Sequence, residues 1–137
     1  MQLTLTLLPT DEGKPLLPTS IYAMTKRHQE EMCLLIGKTY GIPTVTLRYF
    51  NIYGSRQALS NPYTGCTAIF TSRILNNKPP HVFEGGNQTR DFVHVKDIAR
   101  ANLLALEHSS ADYKAINIGT GRQHLNKGTS RSLNKNL

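Results

Sequence analysis

The amino-acid sequence predicts an α/β protein, because segments with helical and strand-like patterns alternate along its 137 residues. A long stretch without Gly or Pro follows Ser20 and carries apolar residues at helical spacing. A run rich in β-branched and aromatic residues then occupies positions 44–50, between Pro43 and Gly54. The alternation continues to position 118 without an internal repeat, and the length corresponds to about one domain.

The first part of the chain is predicted to form one long helix and one strand. Ser20 precedes the helix as a good N-cap residue, and Gly41 and Pro43 are expected to end it. The strand at 44–50 has the composition of a mostly buried strand, and a loop is expected at 51–62.

A shorter helix and two short strands are predicted next. The helix covers residues 67–75, and the polar, proline-rich residues 76–80 break it. The strands are expected at 81–83 and 91–95, with a turn at the glycine pair 85–86 between them.

A third helix and a last strand complete the predicted order. Asp97 is expected to cap a helix at 98–107, whose residues are apolar nearly all round, as in a helix with substantial burial. The strand at 115–118 runs into a Gly-Thr-Gly turn at 119–121.

The charge of the chain is +7, from 16 basic and nine acidic residues, and it is unevenly spread. Lys127, Arg131 and Lys135 lie in residues 123–137, which contain no acidic residue. The abundance of Asn, Ser, Lys and Gly there predicts a basic, disordered tail. Because the tail lacks interleaved aromatic residues and a dense basic run, a solvated end is favoured over a nucleic-acid-binding arm.

Neither a membrane segment nor a metal site is expected. The longest apolar run is five residues, at 32–36, which is too short to span a bilayer. No basic residue precedes Lys14, and Thr4 and Thr6 interrupt the first apolar stretch, so a secretory signal is not expected and a cytoplasmic location is. The two cysteines and five histidines lack the spacing that brings metal ligands together.

Tyr22 and Lys26 form the pattern with the clearest chemical meaning. Their four-residue spacing places both side chains on one face near the start of the first helix. A neighbouring ammonium favours the phenolate form of a tyrosine, which can then act as a general acid or base. On spacing alone, a half-buried tyrosine whose hydroxyl bonds to an exposed lysine is the favoured interpretation.

Four segments in a fixed order extend this pair into a family resemblance. They are residues 15–26 (PLLPTSIYAMTK), 47–54 (LRYFNIYG), 88–99 (QTRDFVHVKDIA) and 117–121 (NIGTG). The chain resembles the extended short-chain dehydrogenase/reductases, specifically the NAD-dependent nucleotide-sugar epimerases and dehydratases. Within that family, residues 57–65 are most similar to the dTDP-L-rhamnose 4-epimerases.

The resemblance implies a role for five residues. Tyr22 would take the proton of the sugar 4-hydroxyl while the 4-hydride passes to NAD, and Lys26 would hydrogen-bond the nicotinamide ribose. Phe50 would lie against the cofactor, Asn51 near the substrate, and Arg90 on the nucleotide diphosphate. The alternatives are an ordinary core position for Phe50 and a surface salt bridge for Arg90, for instance to its neighbour in sequence.

The departures from the family pattern predict a partial Rossmann-like fold that lacks the N-terminal nucleotide-binding half. No Gly-x-x-Gly-x-x-Gly turn occurs. The Gly-Thr-Gly turn at 119–121 does not replace it, because His124 stands where the third glycine of a G-x-G-x-x-G fingerprint would be needed. We expect residues 1–60 to be the C-terminal part of a Rossmann-like domain, 61–122 to be mainly substrate-binding, and 123–137 to be the tail.

The resulting functional hypothesis is a C-terminal section of an NAD-dependent nucleotide-sugar 4-epimerase that is inactive alone. The resemblance also implies a nucleotide-diphosphate sugar as substrate and a homodimer in the intact enzyme, through the helix that carries the Tyr-Lys pair. A dehydratase, decarboxylase or reductase of the same family is one alternative. A non-catalytic, truncated binding module is the other.

Overall fold

The computed structural model describes residues 11–58, 66–79, 89–122 and 124–125, and these residues confirm the predicted α/β class. Helices and short strands alternate along the chain. In chain order the helices and strands are α1 (Ile21–Tyr40), β1 (Thr46–Tyr49), β2 (Asn51–Tyr53), α2 (Cys66–Leu75), β3 (Thr89–Arg90), β4 (Phe92–His94), α3 (Val95–Glu107), a 3₁₀ turn (Ser109–Ala111), β5 (Ala115–Ile118) and β6 (His124–Leu125).

Helix α1 begins and ends where its sequence signals predict. The Ser20 hydroxyl accepts a hydrogen bond from the Ala23 N–H at 3.1 Å, which caps the first turn. At the other end Gly41 adopts a left-handed conformation, with φ of 66°, and its N–H donates to the Gly37 carbonyl. The position of the Tyr-Lys pair within the first two turns is therefore fixed by local capping.

Residues 11–48 and 100–118 lie in one compact unit. Strand β1 pairs with β5, and at the first residue of β1 the Thr46 N–H donates to the Lys114 carbonyl at 3.0 Å. At Gly37, helix α1 lies close to the chain that enters β1. A Cβ atom on Gly37 would lie only 2.4 Å from the Thr44 hydroxyl. Glycine at this position therefore allows the helix to lie against the chain entering β1.

Residues 49–58, 66–79 and 89–99 lie in the second unit with residues 119–122 and 124–125. Strands β2 and β4 are parallel, with Asn51 opposite Phe92 and Tyr53 opposite His94. Strands β3 and β6 are antiparallel, with Arg90 opposite His124. Among the described residues of this unit, the buried side chains are Ala68, Phe70, Val93 and Ile98.

The predicted loop at 51–62 is wrong at its start, where the chain forms strand β2. The chain leaves β1 after Tyr49, and Asn51–Tyr53 then pairs with β4. Gly54 ends β2 at φ of 157°, where a Cβ atom would lie 2.4 Å from the Val95 side chain. The prediction failed because a partner strand about 40 residues away, which local composition does not reveal, stabilises this segment.

The third helix differs from its prediction at its start and in its burial. It begins at Val95, so Asp97 lies inside the first turn and is not the cap. There its carboxylate still interacts favourably with the helix dipole. The expected substantial burial is wrong, because Leu103 and Leu106 are 59% and 82% exposed and Ile98 is the one buried residue among the thirteen.

The C-terminal boundary also changes. His124–Leu125, predicted to be part of the disordered tail, instead pair with β3. The predicted strand at 81–83, the turn at 85–86 and residues 126–137 of the tail lie outside the described residues. In the parts of the chain that are described, no helix is both long and apolar enough to cross a membrane.

Candidate active site

Tyr22 and Lys26 lie on one face of the first two turns of α1. The Lys26 Nζ is 5.8 Å from the centre of the Tyr22 ring and donates a hydrogen bond to the Gln29 side-chain oxygen at 3.1 Å. Tyr22 is 71% exposed, so the alternative of a half-buried tyrosine does not apply. An accessible phenol with an ammonium one turn away is a suitable arrangement for proton transfer to a bound molecule.

The loop before α1 is attached to the helix and to the sheet. Arg27 donates to the Leu16 carbonyl at 3.2 Å and forms an ion pair with Glu31 at 2.7 Å. The Glu12 carboxylate accepts a hydrogen bond from the Asn117 N–H at 2.8 Å. This backbone hydrogen bond, more than the nearby guanidinium charge, lowers the pKa of Glu12.

Arg48 joins β1 to α1 through a bidentate ion pair. Its Nε lies 2.7 Å from Glu30 Oε2 and its Nη2 lies 2.5 Å from Glu30 Oε1. The hydrogen bonds to Glu30 raise the pKa of Arg48, and its Nη1 also donates to the Glu12 carbonyl at 3.4 Å. Sequence reasoning missed this pair. No local spacing signals it, because the two residues are 18 apart in the sequence.

In the second unit, Asp91 connects three of the four sequence motifs. Its backbone carbonyl accepts hydrogen bonds from the Asn51 N–H at 3.0 Å and from the Asn51 side-chain amide at 3.4 Å. Its carboxylate accepts hydrogen bonds from the Thr120 N–H at 2.8 Å, the Thr120 hydroxyl at 2.6 Å and the Gly121 N–H at 2.9 Å. The Asn51 and Gly-Thr-Gly segments therefore meet at this residue.

Phe50 and Arg90 lie beside the same connection. A Cβ atom on Gly119 would lie 3.0 Å from the Phe50 ring and 2.7 Å from Asp91 Oδ2, so the turn fits closely against both. Arg90 is half-buried in β3 and donates to the Thr89 carbonyl at 2.9 Å. The Asp91 carboxylate is directed to the turn at 119–121.

The five predicted site residues fall into two groups. Tyr22 and Lys26 lie together in the first unit, whereas Phe50, Asn51 and Arg90 lie at or beside Asp91 in the second. Over the described ranges, no cluster of three or more His, Cys, Asp or Glu side chains has the geometry to hold a metal ion.

Comparison with known proteins identifies the family. Residues 6–119 match the NAD dependent epimerase/dehydratase family. The chain is 44% identical over 116 residues to a provisionally named UDP-glucose 4-epimerase of Methanocaldococcus jannaschii, covering 85% of this chain and 37% of that protein. It is 36% identical over 120 residues to the dTDP-L-rhamnose 4-epimerase of Burkholderia thailandensis, covering 86% and 33%.

The fold is also found in a solved structure. The UDP-glucose 4-epimerase of Thermotoga maritima, crystallised with UDP-glucose, superimposes with a TM-score of 0.88 at 37% identity, over 94% of this chain and 41% of that one. The chain thus spans about two fifths or less of the length of these proteins. This confirms the predicted partial Rossmann-like fold. The chain belongs to the NAD-dependent epimerase/dehydratase family.

Proposed function

We propose that the residues of this chain serve an NAD-dependent nucleotide-sugar 4-epimerase, with Tyr22 and Lys26 as its catalytic pair. The observation that carries the proposal is the accessible phenol of Tyr22 with the Lys26 ammonium beside it, at the start of a capped helix. Family membership, and similarity to proteins named as UDP-glucose and dTDP-L-rhamnose 4-epimerases, support the reaction class.

One of the residues present, Lys26, fits a contact with the cofactor that the family implies. Lys26 has three N–H donors, of which one is used by Gln29, so a ribose hydroxyl can be bound by another. NAD, when bound, supplies a hydride acceptor that later returns the hydride to the sugar. Tyr22, as the phenolate, would accept the proton of the 4-hydroxyl and become a neutral phenol, while the hydride leaves C4 for the cofactor. The ammonium of Lys26 would stabilise the phenolate before the transfer.

Substrate contacts are proposed for the second group of residues. Asn51 and Arg90 would bind the nucleotide-diphosphate sugar, and Phe50 would lie against the cofactor. Support comes from Asp91, the residue that follows Arg90. It accepts hydrogen bonds from the Asn51 backbone and from the turn at 119–121. A guanidinium suits a diphosphate because its planar donors bind two oxygens at once.

We also infer that the intact enzyme is a homodimer through α1. Its middle and last turns expose apolar side chains, with Met32 at 57%, Leu35 at 65% and Ile36 at 47%. Sedimentation of the chain and of its Leu35→Lys variant tests this surface. We expect the unmodified chain to self-associate and the Leu35→Lys variant to be monomeric. A monomer in both cases contradicts the inference.

A chimera tests the proposed reaction. This chain replaces the matching part of the Thermotoga maritima UDP-glucose 4-epimerase, and inversion at C4 of UDP-glucose is followed by NMR. We expect the chimera to catalyse the inversion, whereas the 137-residue chain alone does not. A folded chimera that binds NAD and UDP-glucose but does not invert C4 would contradict the proposal.

A further inference from the structure

Lys26 has a possible partner on each side along α1. Tyr22 precedes it by four residues and Glu30 follows it by four, so all three lie along one side of the helix. Residues at this spacing are close enough for an ion pair or a hydrogen bond. An ion pair with Glu30 would draw the ammonium away from Tyr22.

The same helix shows the ion pair that this spacing allows. Arg27 and Glu31 have the same separation and the same order of charges as Lys26 and Glu30, and they are paired at 2.7 Å. Lys26 instead donates to the neutral amide of Gln29 and stays 5.8 Å from the Tyr22 ring centre. In the stretches of chain described, the ion pair of Glu30 is made with Arg48.

Arg48 is well suited to hold Glu30. Its two nitrogens reach both carboxylate oxygens, at 2.7 and 2.5 Å, and the two side chains are only 23% and 15% exposed. A bidentate pair of this kind is stronger and geometrically stricter than a single contact from a lysine. Glu30 therefore has a better partner in β1 than on its own helix.

We propose that Arg48 is a positioning residue for the Tyr22–Lys26 pair: by binding both oxygens of Glu30, it leaves the Lys26 ammonium available to Tyr22. The inference rests on the proposed catalytic role of that pair. It assigns Glu30 and Arg48 a purpose beyond joining α1 to β1. A merely structural ion pair would stabilise the fold without affecting how Tyr22 ionises.

The test is the pH titration of Tyr22 in the full chain, followed by NMR after labelling the tyrosine ring carbons that bear the hydroxyls. Among the six tyrosine signals, that of Tyr22 is identified as the one missing in Tyr22→Phe. In Arg48→Gln, Glu30 is released to pair with Lys26, so Tyr22 should titrate at higher pH than in the unmodified chain. In the double variant Arg48→Gln with Glu30→Gln, the titration of Tyr22 should return to that of the unmodified chain. An unchanged titration in the first, or no return in the second, would overturn the proposal.

The Lys26→Met variant separates the role of Lys26 from a direct effect of the Arg48 charge on Tyr22. When Lys26→Met is present, Arg48→Gln should no longer shift the titration, because the competition has been removed. A shift of equal size in that background would overturn the proposal. If Arg48→Gln does not fold, Arg48→Lys replaces it, since it keeps the cation but loses the bidentate contact, and a shift in the same direction is expected.

A matched control lies on the same helix. Arg27→Gln removes an exposed cation whose ion pair does not involve Lys26, and should leave the Tyr22 titration close to that of the unmodified chain. A shift as large as that of Arg48→Gln would count against a specific role for Arg48. The titration needs neither NAD nor a nucleotide sugar, so its failure is distinct from failure of the chimera to invert C4.

Discussion

Asp91 binds Thr120 at two points, with the Thr120 N–H on one carboxylate oxygen at 2.8 Å and the Thr120 hydroxyl on the other at 2.6 Å. The same carboxylate accepts the Gly121 N–H, and the Asp91 carbonyl accepts from Asn51. Three sequence motifs, at 47–54, 88–99 and 117–121, are thus one structural feature, and Asp91 is its centre.

Asp91→Asn should destabilise the chain by about 1 kcal/mol, because an uncharged amide replaces the carboxylate and the hydrogen bonds from Thr120 and Gly121 lose their charged acceptor. Urea unfolding followed by circular dichroism measures the loss. Asp112→Asn, in the first unit, is the control and should change the unfolding free energy by less than about 0.5 kcal/mol. Equal effects in both variants would contradict the central role of Asp91.

Gly119→Ala should destabilise by roughly 1–3 kcal/mol, since the added methyl overpacks a site whose neighbours are held in place. Its Cβ would lie 2.7 Å from Asp91 Oδ2 and 3.0 Å from the Phe50 ring. Gly13→Ala is the matched control, because its Cβ would meet Asp11 at an ordinary 3.5 Å. Comparable midpoints of urea unfolding for the two variants would show that the turn is not closely packed.

Glu12→Gln should lower stability at neutral pH and not in acid. The Asn117 N–H lowers the pKa of Glu12 from its ordinary value of 4.5, so the charged form is favoured by folding. This contribution is present above that ordinary value and is lost as the pH falls through the lowered one. Thermal unfolding at pH 7 and at low pH should show a difference between variant and parent that shrinks in acid. A difference of the same size at both pH values would exclude the carboxylate charge as its cause.

Ile98→Ala should cost about 2–4 kcal/mol, because Ile98 is 7% exposed and its loss leaves a cavity. Leu106→Ala on the same helix is the comparison, and at 82% exposure it should change the unfolding free energy by less than about 0.5 kcal/mol. Urea unfolding of both variants tests the assigned burial of α3. A large loss in the Leu106 variant would show that the exposed side chain is covered in solution.

The helix ends show how much of the fold local sequence can predict. Ser20 and Gly41 bound α1 because capping and a left-handed turn depend on residues within one helical turn. Strand β2 was missed because its stability comes from β4, a distant partner. The start of α3 at Val95 was also missed, since the expected cap at Asp97 is only a first-turn acid.

The candidate site divides in the same way. The proximity of Tyr22 and Lys26 follows from helical spacing alone, and the structure places them as expected on one face. The Arg48–Glu30 pair joins residues 18 apart through the packing of a strand on a helix, which no local pattern encodes. The roles of Phe50 and Arg90 came from resemblance and stay predictions.

The most direct test of the central claim is the rate of C4 inversion in the chimera with Tyr22→Phe, compared with Tyr40→Phe at the far end of the same helix. The two tyrosines are similarly exposed, at 71% and 73%, so general effects of removing a hydroxyl are matched. We predict that Tyr22→Phe lowers the turnover number by about 100-fold or more, as expected for loss of a general base, and that Tyr40→Phe leaves it nearly unchanged. Equal turnover in the two variants would contradict the assignment of Tyr22 as the catalytic residue.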